Sequence, residues 1–416
     1  MSAFTDQRAL TLIAPIDPNH LQELEQLLLE KEFKTSLMIM PGVHFGRLLI
    51  LHRTQQLVYA VNHDGAYEAH LAVMAKNPKL LTVFACCQGY EAALPPEQAI
   101  PPFVGQYRQK VQAFYRGHRG LSVNDILQEQ DMYEEIQSHL DKVGYAGLPP
   151  LETCQAIKKY IHARLPALQP FQAYQLPYIA PNLLRVLLIG LVVLVIILAF
   201  IIHTWLGLAL VAILLLAVGL LRWKEKHDPV LADNDIAMGN TTQLMSQEDF
   251  ISQNQMTHYV PLKPGILRTL LLRTGLFLVN ILARYSFNRG TLSDISSIHF
   301  ARWQIINHGK ELLFFSNFDG TWENYLSDFV DRASIGLTLI WSNTIEFPRT
   351  VFWATAGAAD EERFKNWTRK YQVKTDIWYS AYKNLTVKNI IRNHQIRMGL
   401  QQDFNASQAA DWLKLL

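Results

Sequence analysis

From Val186 to Leu221 the chain has no Asp, Glu, Lys or Arg, and only His203, Thr204 and Trp205 interrupt the apolar run. A single straight helix through it would be roughly 54 Å long, whereas the hydrocarbon core of a bilayer is about 30 Å thick. Two helices turning near His203–Gly207 fit that thickness better. Residues 183–223 are therefore expected to form an inserted transmembrane helical hairpin, the other solution being one strongly tilted or re-entrant helix. Arg185 precedes the run, and Arg222, Lys224 and Lys226 follow it. Basic residues at both ends favour the cytoplasmic side for both. An even number of spans also returns the chain to its starting compartment. The expected location is an inner or plasma membrane, with both flanking portions cytoplasmic and the lipid membrane as a partner.

The rest of the chain reads as folded and nearly neutral. Of 416 residues half are hydrophobic, and 38 Lys and Arg balance 36 Asp and Glu to a net charge of +2. That apolar content excludes a disordered chain. The weak net field argues against a protein that coats nucleic acid. Cys86, Cys87 and Cys154 cannot build a disulfide framework.

An internal duplication organises the remainder. Residues 44–68, HFGRLLILHRTQQLVYAVNHDGAYE, align without a gap to residues 299–323, HFARWQIINHGKELLFFSNFDGTWE, with nine identities in 25 positions. The identities include His44/His299, Arg47/Arg302, Asn62/Asn317, Asp64/Asp319, Gly65/Gly320 and Glu68/Glu323. The match extends outward through Pro15/Pro261 and Pro18/Pro264. In each copy two apolar runs joined by a polar turn read as a hairpin. A leucine-spaced helix precedes them and an Asp-Gly break follows. Adding terminal strands at 80–87 and 350–356 gives the order βαββαβ. The fold class is thus α+β: two ferredoxin-like modules packed sheet to sheet, interrupted by the hairpin. The expected divisions are a first module over 8–90, a helical and Pro-rich connector over 91–182, the hairpin over 183–223, a polar linker over 224–255, and a second module with a C-terminal extension over 256–400.

This arrangement resembles the dimeric α+β barrel superfamily and is distantly similar to dye-decolourising peroxidases, over residues 8–90 and 255–360. Those peroxidases carry a G-x-x-D-G motif with its Asp over haem and an Arg nearby. The comparable stretches here are Val61-Asn-His-Asp64-Gly65 and Ser316-Asn-Phe-Asp319-Gly320, each without the first glycine. The resemblance implies Asp319 and Arg302 as catalytic candidates with His299 nearby, Asp64, Arg47 and His44 as their repeat equivalents, and haem as a possible cofactor. The implied activity is that of a peroxidase-like oxidoreductase with a pocket for an apolar or lipid-derived small molecule. A cofactor-free monooxygenase is a weaker variant.

Read from the residues alone, the same groups have a structural role. An Asp-Gly between strand and helix makes a turn and caps a helix, and a fold-holding device must recur in both copies. The alternative function is therefore a non-catalytic lipid-binding or scaffold protein. No H-E-x-x-H, C-x-x-C or C-x-x-C-H pattern defines a metal site. The second copy adds an aromatic-rich stretch over Trp341–Thr350 with no counterpart in the first, an asymmetry that marks where a ligand site would lie. Residues 265–289 combine apolar residues with Arg268, Arg273, Arg284 and Arg289 and no acid. That pattern suits both packing on a sheet and lying on anionic lipid.

Overall fold

Pro15 and Pro261 each end a nine-residue strand, β1 (Gln7–Pro15) and β5 (Gln253–Pro261). The computed structural model describes residues 4–145, 147–168, 170–172, 174–231, 238–246 and 248–416. It is a mixed α+β protein with antiparallel sheets, and it divides into two compact units. The first comprises Met1–Arg108, His118–Gln175 and Thr375–Leu416; the second comprises Gln109–Gly117 and Leu176–Lys374.

In the first unit, helices α1 (Leu21–Leu29) and α2 (Lys31–Ser36) lead from β1 to the hairpin β2 (Val43–Leu51) and β3 (Gln56–Asp64), followed by α3 (Tyr67–Ala75). Every residue of β2 is buried. Leu48, Ile50, Leu57, Tyr59 and Val61 join Leu10, Leu12 and Leu24 in one core. The run expected to be a strand at 80–87 is instead α4 (Pro78–Ala85). Asn77 accepts from the Leu80 amide at 3.1 Å, Pro78 occupies the first turn, and Leu80, Val83 and Phe84 fall on one helical face. A cap followed by proline outweighs the β propensity of the run.

The chain continues as α5 (Pro96–Tyr107), β4 (Ala113–Arg116), α6 (Val123–Val143) and α7 (Pro150–Arg164), then the apolar α8 (Pro181–Ile202) and α9 (Thr204–His227). His203 alone separates α8 from α9, and its Nδ1 accepts from the Trp205 amide at 3.3 Å. Within the stretch expected to be a linker lies α10 (Met238–Met245); residues 232–237 and 247 of that stretch are outside the described residues.

The second unit repeats the plan. After β5 come α11 (Ile266–Tyr285), the hairpin β6 (Ile298–Ile306) and β7 (Glu311–Asp319), and α12 (Trp322–Trp341). The segment expected as a strand at 350–356 forms only a two-rung ladder, β8 (Thr350–Val351) with β9 (Thr355–Ala356), because Phe352 and Trp353 take positive φ between them. Then follow α13 (Glu361–Tyr371), β10 (Ile377–Ser380), α14 (Val387–Leu400) and α15 (Ala406–Leu413).

The fourth strand of each sheet is delivered from the other end of the chain. The sheet orders are β1-β3-β2-β10 and β4-β6-β7-β5. Thus β10, which follows the second repeat, closes the edge of β2, and β4, which follows the first, closes the edge of β6. The two exchanged strands belong to the duplication themselves. Ala113-Phe-Tyr-Arg-Gly-His-Arg-Gly-Leu-Ser-Val-Asn-Asp125 aligns with Ile377-Trp-Tyr-Ser-Ala-Tyr-Lys-Asn-Leu-Thr-Val-Lys-Asn389. Each segment ends in a capping box, Ser122 with Asp125 and Thr386 with Asn389. In the first unit the two capped helices, α6 and α14, pack together, and buried Arg397 reaches Asp125 at 3.1 Å and Glu129 at 3.3 Å. Ser122→Ala and Thr386→Ala should each lower unfolding free energy by about 1 kcal/mol, read by chemical denaturation of the detergent-solubilised protein.

Candidate functional site

The repeated histidine of each copy sits at a β-bulge. The ladder between β2 and β3 shifts register between Val43 and Phe45, and that between β6 and β7 shifts between Ile298 and Phe300. His44 and His299 occupy the extra positions, where a bulge re-aims a side chain. Both imidazoles are fully buried and meet the aspartate at the end of the neighbouring strand. His44 Nε2 lies 2.8 Å from Asp64 Oδ1, and His299 Nε2 lies 2.8 Å from Asp319 Oδ1. Gly65 and Gly320 follow at φ of 73° and 81°, the left-handed region that glycine enters without Cβ strain.

In the first unit the pair extends into a chain. Asp64 Oδ2 accepts from the Val123 amide at 2.9 Å, tying the carboxylate to the start of α6. His44 Nδ1 lies 2.9 Å from the Tyr382 hydroxyl, which lies 3.2 Å from His118 Nε2; His118 Nδ1 lies 3.3 Å from Gln7 Nε2. With both rings neutral, one direction of donation satisfies every link: Gln7 to His118, His118 to Tyr382, Tyr382 to His44, and His44 to Asp64. The chain joins β1, β2, β3, the start of α6 and the segment after β10.

The arginines stand on other rungs of the ladders. Arg302 stands opposite Phe315 on β7 and opposite Phe114 on β4, with its guanidinium 5.0 Å from the Phe315 ring centre. Burial alone lowers the Arg302 guanidinium below the usual arginine range. Arg47 is equally buried, opposite Ala60 and Trp378. The structure thus brings His299 to Asp319, and His44 to Asp64, and leaves Arg302 and Arg47 on other rungs.

A cavity in the core of the second unit was not foreseen. Met256, His258, Phe314, Tyr325, Phe329, Trp341 and Trp367 are among its walls. The expected aromatic stretch contributes Trp341 only. His258 is 1% exposed and neither ring nitrogen has a hydrogen-bond partner. The Trp341 and Trp367 rings lie 4.9 and 4.6 Å from its centre. At the equivalent rung of the first unit stands Leu12, paired with Tyr59 as His258 is paired with Phe314. The signal was therefore a polar residue at an apolar position of the repeat, visible only once β1 and β5 are aligned. The space open to a water-sized atom is about 20 Å³, slightly more than one water needs.

Haem does not fit this cavity, whose walls include neither Asp319 nor Arg302 and whose whole atom-free space of about 300 Å³ is smaller than a porphyrin. Among the described residues no three His, Cys, Asp or Glu side chains converge as a metal site. Comparison with protein-family models, curated proteins and solved structures finds no match.

A different cluster holds the feet of the apolar helices. Glu225, buried near the end of α9, accepts from the Trp353 amide at 2.8 Å, from the Phe352 amide at 3.2 Å, and from Thr350 and Arg222. Asp228, just after α9, accepts from Lys263 Nζ at 2.8 Å and from Arg268. Before α8, the Ile179 amide donates to the Tyr285 carbonyl at 2.8 Å, and Asn288 donates to the Pro177 carbonyl at 2.9 Å.

Two predictions follow from the histidines. Asp64→Asn and Asp319→Asn should each cost about 1.5–3 kcal/mol, because a charge-assisted bond to a buried ring is lost. Burial pulls His258 and His70 down to about 3 and His63 to about 4, from 6.5. Between pH 6.5 and those values the unfolded chain binds protons that the folded chain does not, so stability falls as pH falls. His258→Leu should raise stability at pH 7 by about 1–3 kcal/mol and flatten this acid limb, as measured by denaturation between pH 7 and 4.

Proposed function

We propose that the protein is a membrane-anchored lipid-binding or scaffold protein whose α8 and α9 cross the bilayer as a hairpin and hold a duplicated body on the cytoplasmic face. The observation that carries this reading is the pairing of two apolar helices of 22 and 24 residues. They are about 33 and 36 Å long, each sufficient for the hydrocarbon core. Nearly all their large apolar side chains are exposed, from Val186 through Leu220. Such a surface is stable only against lipid or another apolar partner. Gly207 lies so close to the Phe200 ring that no larger residue fits there, which supports a tight turn at the far end. Each module is read as a ferredoxin-like unit with an exchanged edge strand.

In this reading the repeated His, Asp and Arg residues hold the fold. Their recurrence in both copies and the burial of the His and Arg side chains favour that role over catalysis. An oxidoreductase acting on an apolar small molecule is the second reading, and the observation in its favour is the unpartnered imidazole of His258 inside an aromatic cavity.

The anchor is tested by alkaline carbonate extraction of membranes containing the full chain. The protein should stay in the pellet, and a variant with Leu194→Arg and Leu214→Arg should move to the supernatant. Labelling of single cysteines placed at Glu97 and Glu362 in sealed vesicles should give the same protection at both sites; opposite protection would overturn the hairpin.

A further inference from the structure

Among the described residues three helices are long and apolar enough to cross a membrane, the third being α11 (Ile266–Tyr285). We infer that α11 does not cross, and instead lies in the plane of the leaflet as a seat on anionic phospholipid headgroups. This rests on the hairpin reading above.

One face of α11 is committed to protein. Arg268, Leu272, Gly275, Leu276 and Ala283 are buried. A Cβ at Gly275 would lie 2.9 Å from Ile340 of α12, and Asn280 accepts from the Phe114 amide of β4 at 3.3 Å. A helix fixed to a sheet strand and a second helix cannot be surrounded by acyl chains without carrying that sheet into the bilayer, against the cost of burying polar groups in hydrocarbon.

The opposite face is exposed and has the composition of an interfacial helix. Ile266 is 87% exposed, Leu270 60% and Phe277 61%, and Arg273 and Arg284 are exposed with them. At 3.6 residues per turn these five positions fall within about 60° of one another. No acidic residue occurs between Ile266 and Tyr285. Apolar side chains flanked by arginine alone match a surface of acyl chains below phosphates.

The position of α11 fixes its direction. The foot of α9 is tied to its beginning through Asp228 and Arg268, and the foot of α8 to its end through Ile179 and Tyr285. Those attachment points are 17 residues apart, roughly 26 Å along the helix. A helix bridging the two feet of a hairpin runs along the membrane surface. Trp223, exposed beside the α9 foot, and Phe352, under the Arg222 guanidinium at 5.0 Å, extend the same apolar level.

The test uses the full chain, whose native cysteines are buried. Phe277→Cys is labelled with an environment-sensitive fluorophore and reconstituted into phosphatidylcholine vesicles with or without phosphatidylglycerol; Glu362→Cys serves as the reference site. Nitroxide lipids labelled near the headgroup or deep in the acyl chain provide the quenchers. The seat is supported if the shallow nitroxide quenches position 277 at least about twofold more than the deep one, if quenching increases with phosphatidylglycerol, and if Arg273→Gln with Arg284→Gln removes that increase. Stronger quenching by the deep nitroxide identifies a third span and overturns the inference. No quenching at 277 in protein that resists carbonate overturns the seat and leaves the anchor standing. Protein stripped by carbonate overturns both.

Discussion

A strand edge in a folded chain has to be paired, covered or made unattractive to other strands, and here that constraint is met by exchange. The outer edges of β2 and β6 are long, apolar and fully buried. Each is closed by a strand of four residues that follows the opposite repeat. The rest of the architecture depends on this closure. The segment after β10 delivers Tyr382 to His44, and the helices that follow each exchanged strand, α6 and α14, pair through Arg397, Asp125 and Glu129. Without the exchange neither unit has a complete sheet.

The duplication also serves as an internal control. What both copies keep is the bulged histidine, its aspartate, the left-handed glycine and the capped helix after the exchanged strand, and each of these satisfies a backbone or buried polar group. What differs is concentrated in the second copy. Leu12 is replaced by His258, the two short helices α3 and α4 by the single long α12, and the short α1 and α2 by the long, apolar and basic α11. The second unit thus differs in one small cavity and in one exposed helix face, whereas the shared chemistry is directed inward.

The sequence carried the central hairpins plainly, because similar residues at identical spacing report similar geometry; the His–Asp contacts were not read from it, since they depend on the bulges that re-aim His44 and His299. It also carried the break at His203, since the apolar run was too long for one span. The strand expected at 80–87 failed because its β-branched and aromatic residues also lie three and four apart, and the Asn77-Pro78 start signal decides between the two periods. The segment at 374–380 was read as a strand of the C-terminal extension and 113–116 fell within the Pro-rich connector; that each closes a sheet was missed, although the shared Leu-Ser/Thr-Val sequence after them was available. Arg302 was grouped with Asp319 through the motif, and the ladder register places Arg302 opposite Phe315, four residues before Asp319. The orphaned imidazole of His258 left no trace in a single copy, since a histidine in a strand is ordinarily satisfied.

The exchange has a consequence for how the protein is made. Synthesis proceeds from the N-terminus, and domains generally fold as they emerge. The first sheet cannot be completed in that order, because its edge strand, Ile377–Ser380, is made only after the whole second hairpin. By then the apolar α8 and α9 have long been translated. The nascent chain thus carries a bare edge on β2 throughout the synthesis of the second repeat, and the first sheet reaches its final form only when β10 has followed it.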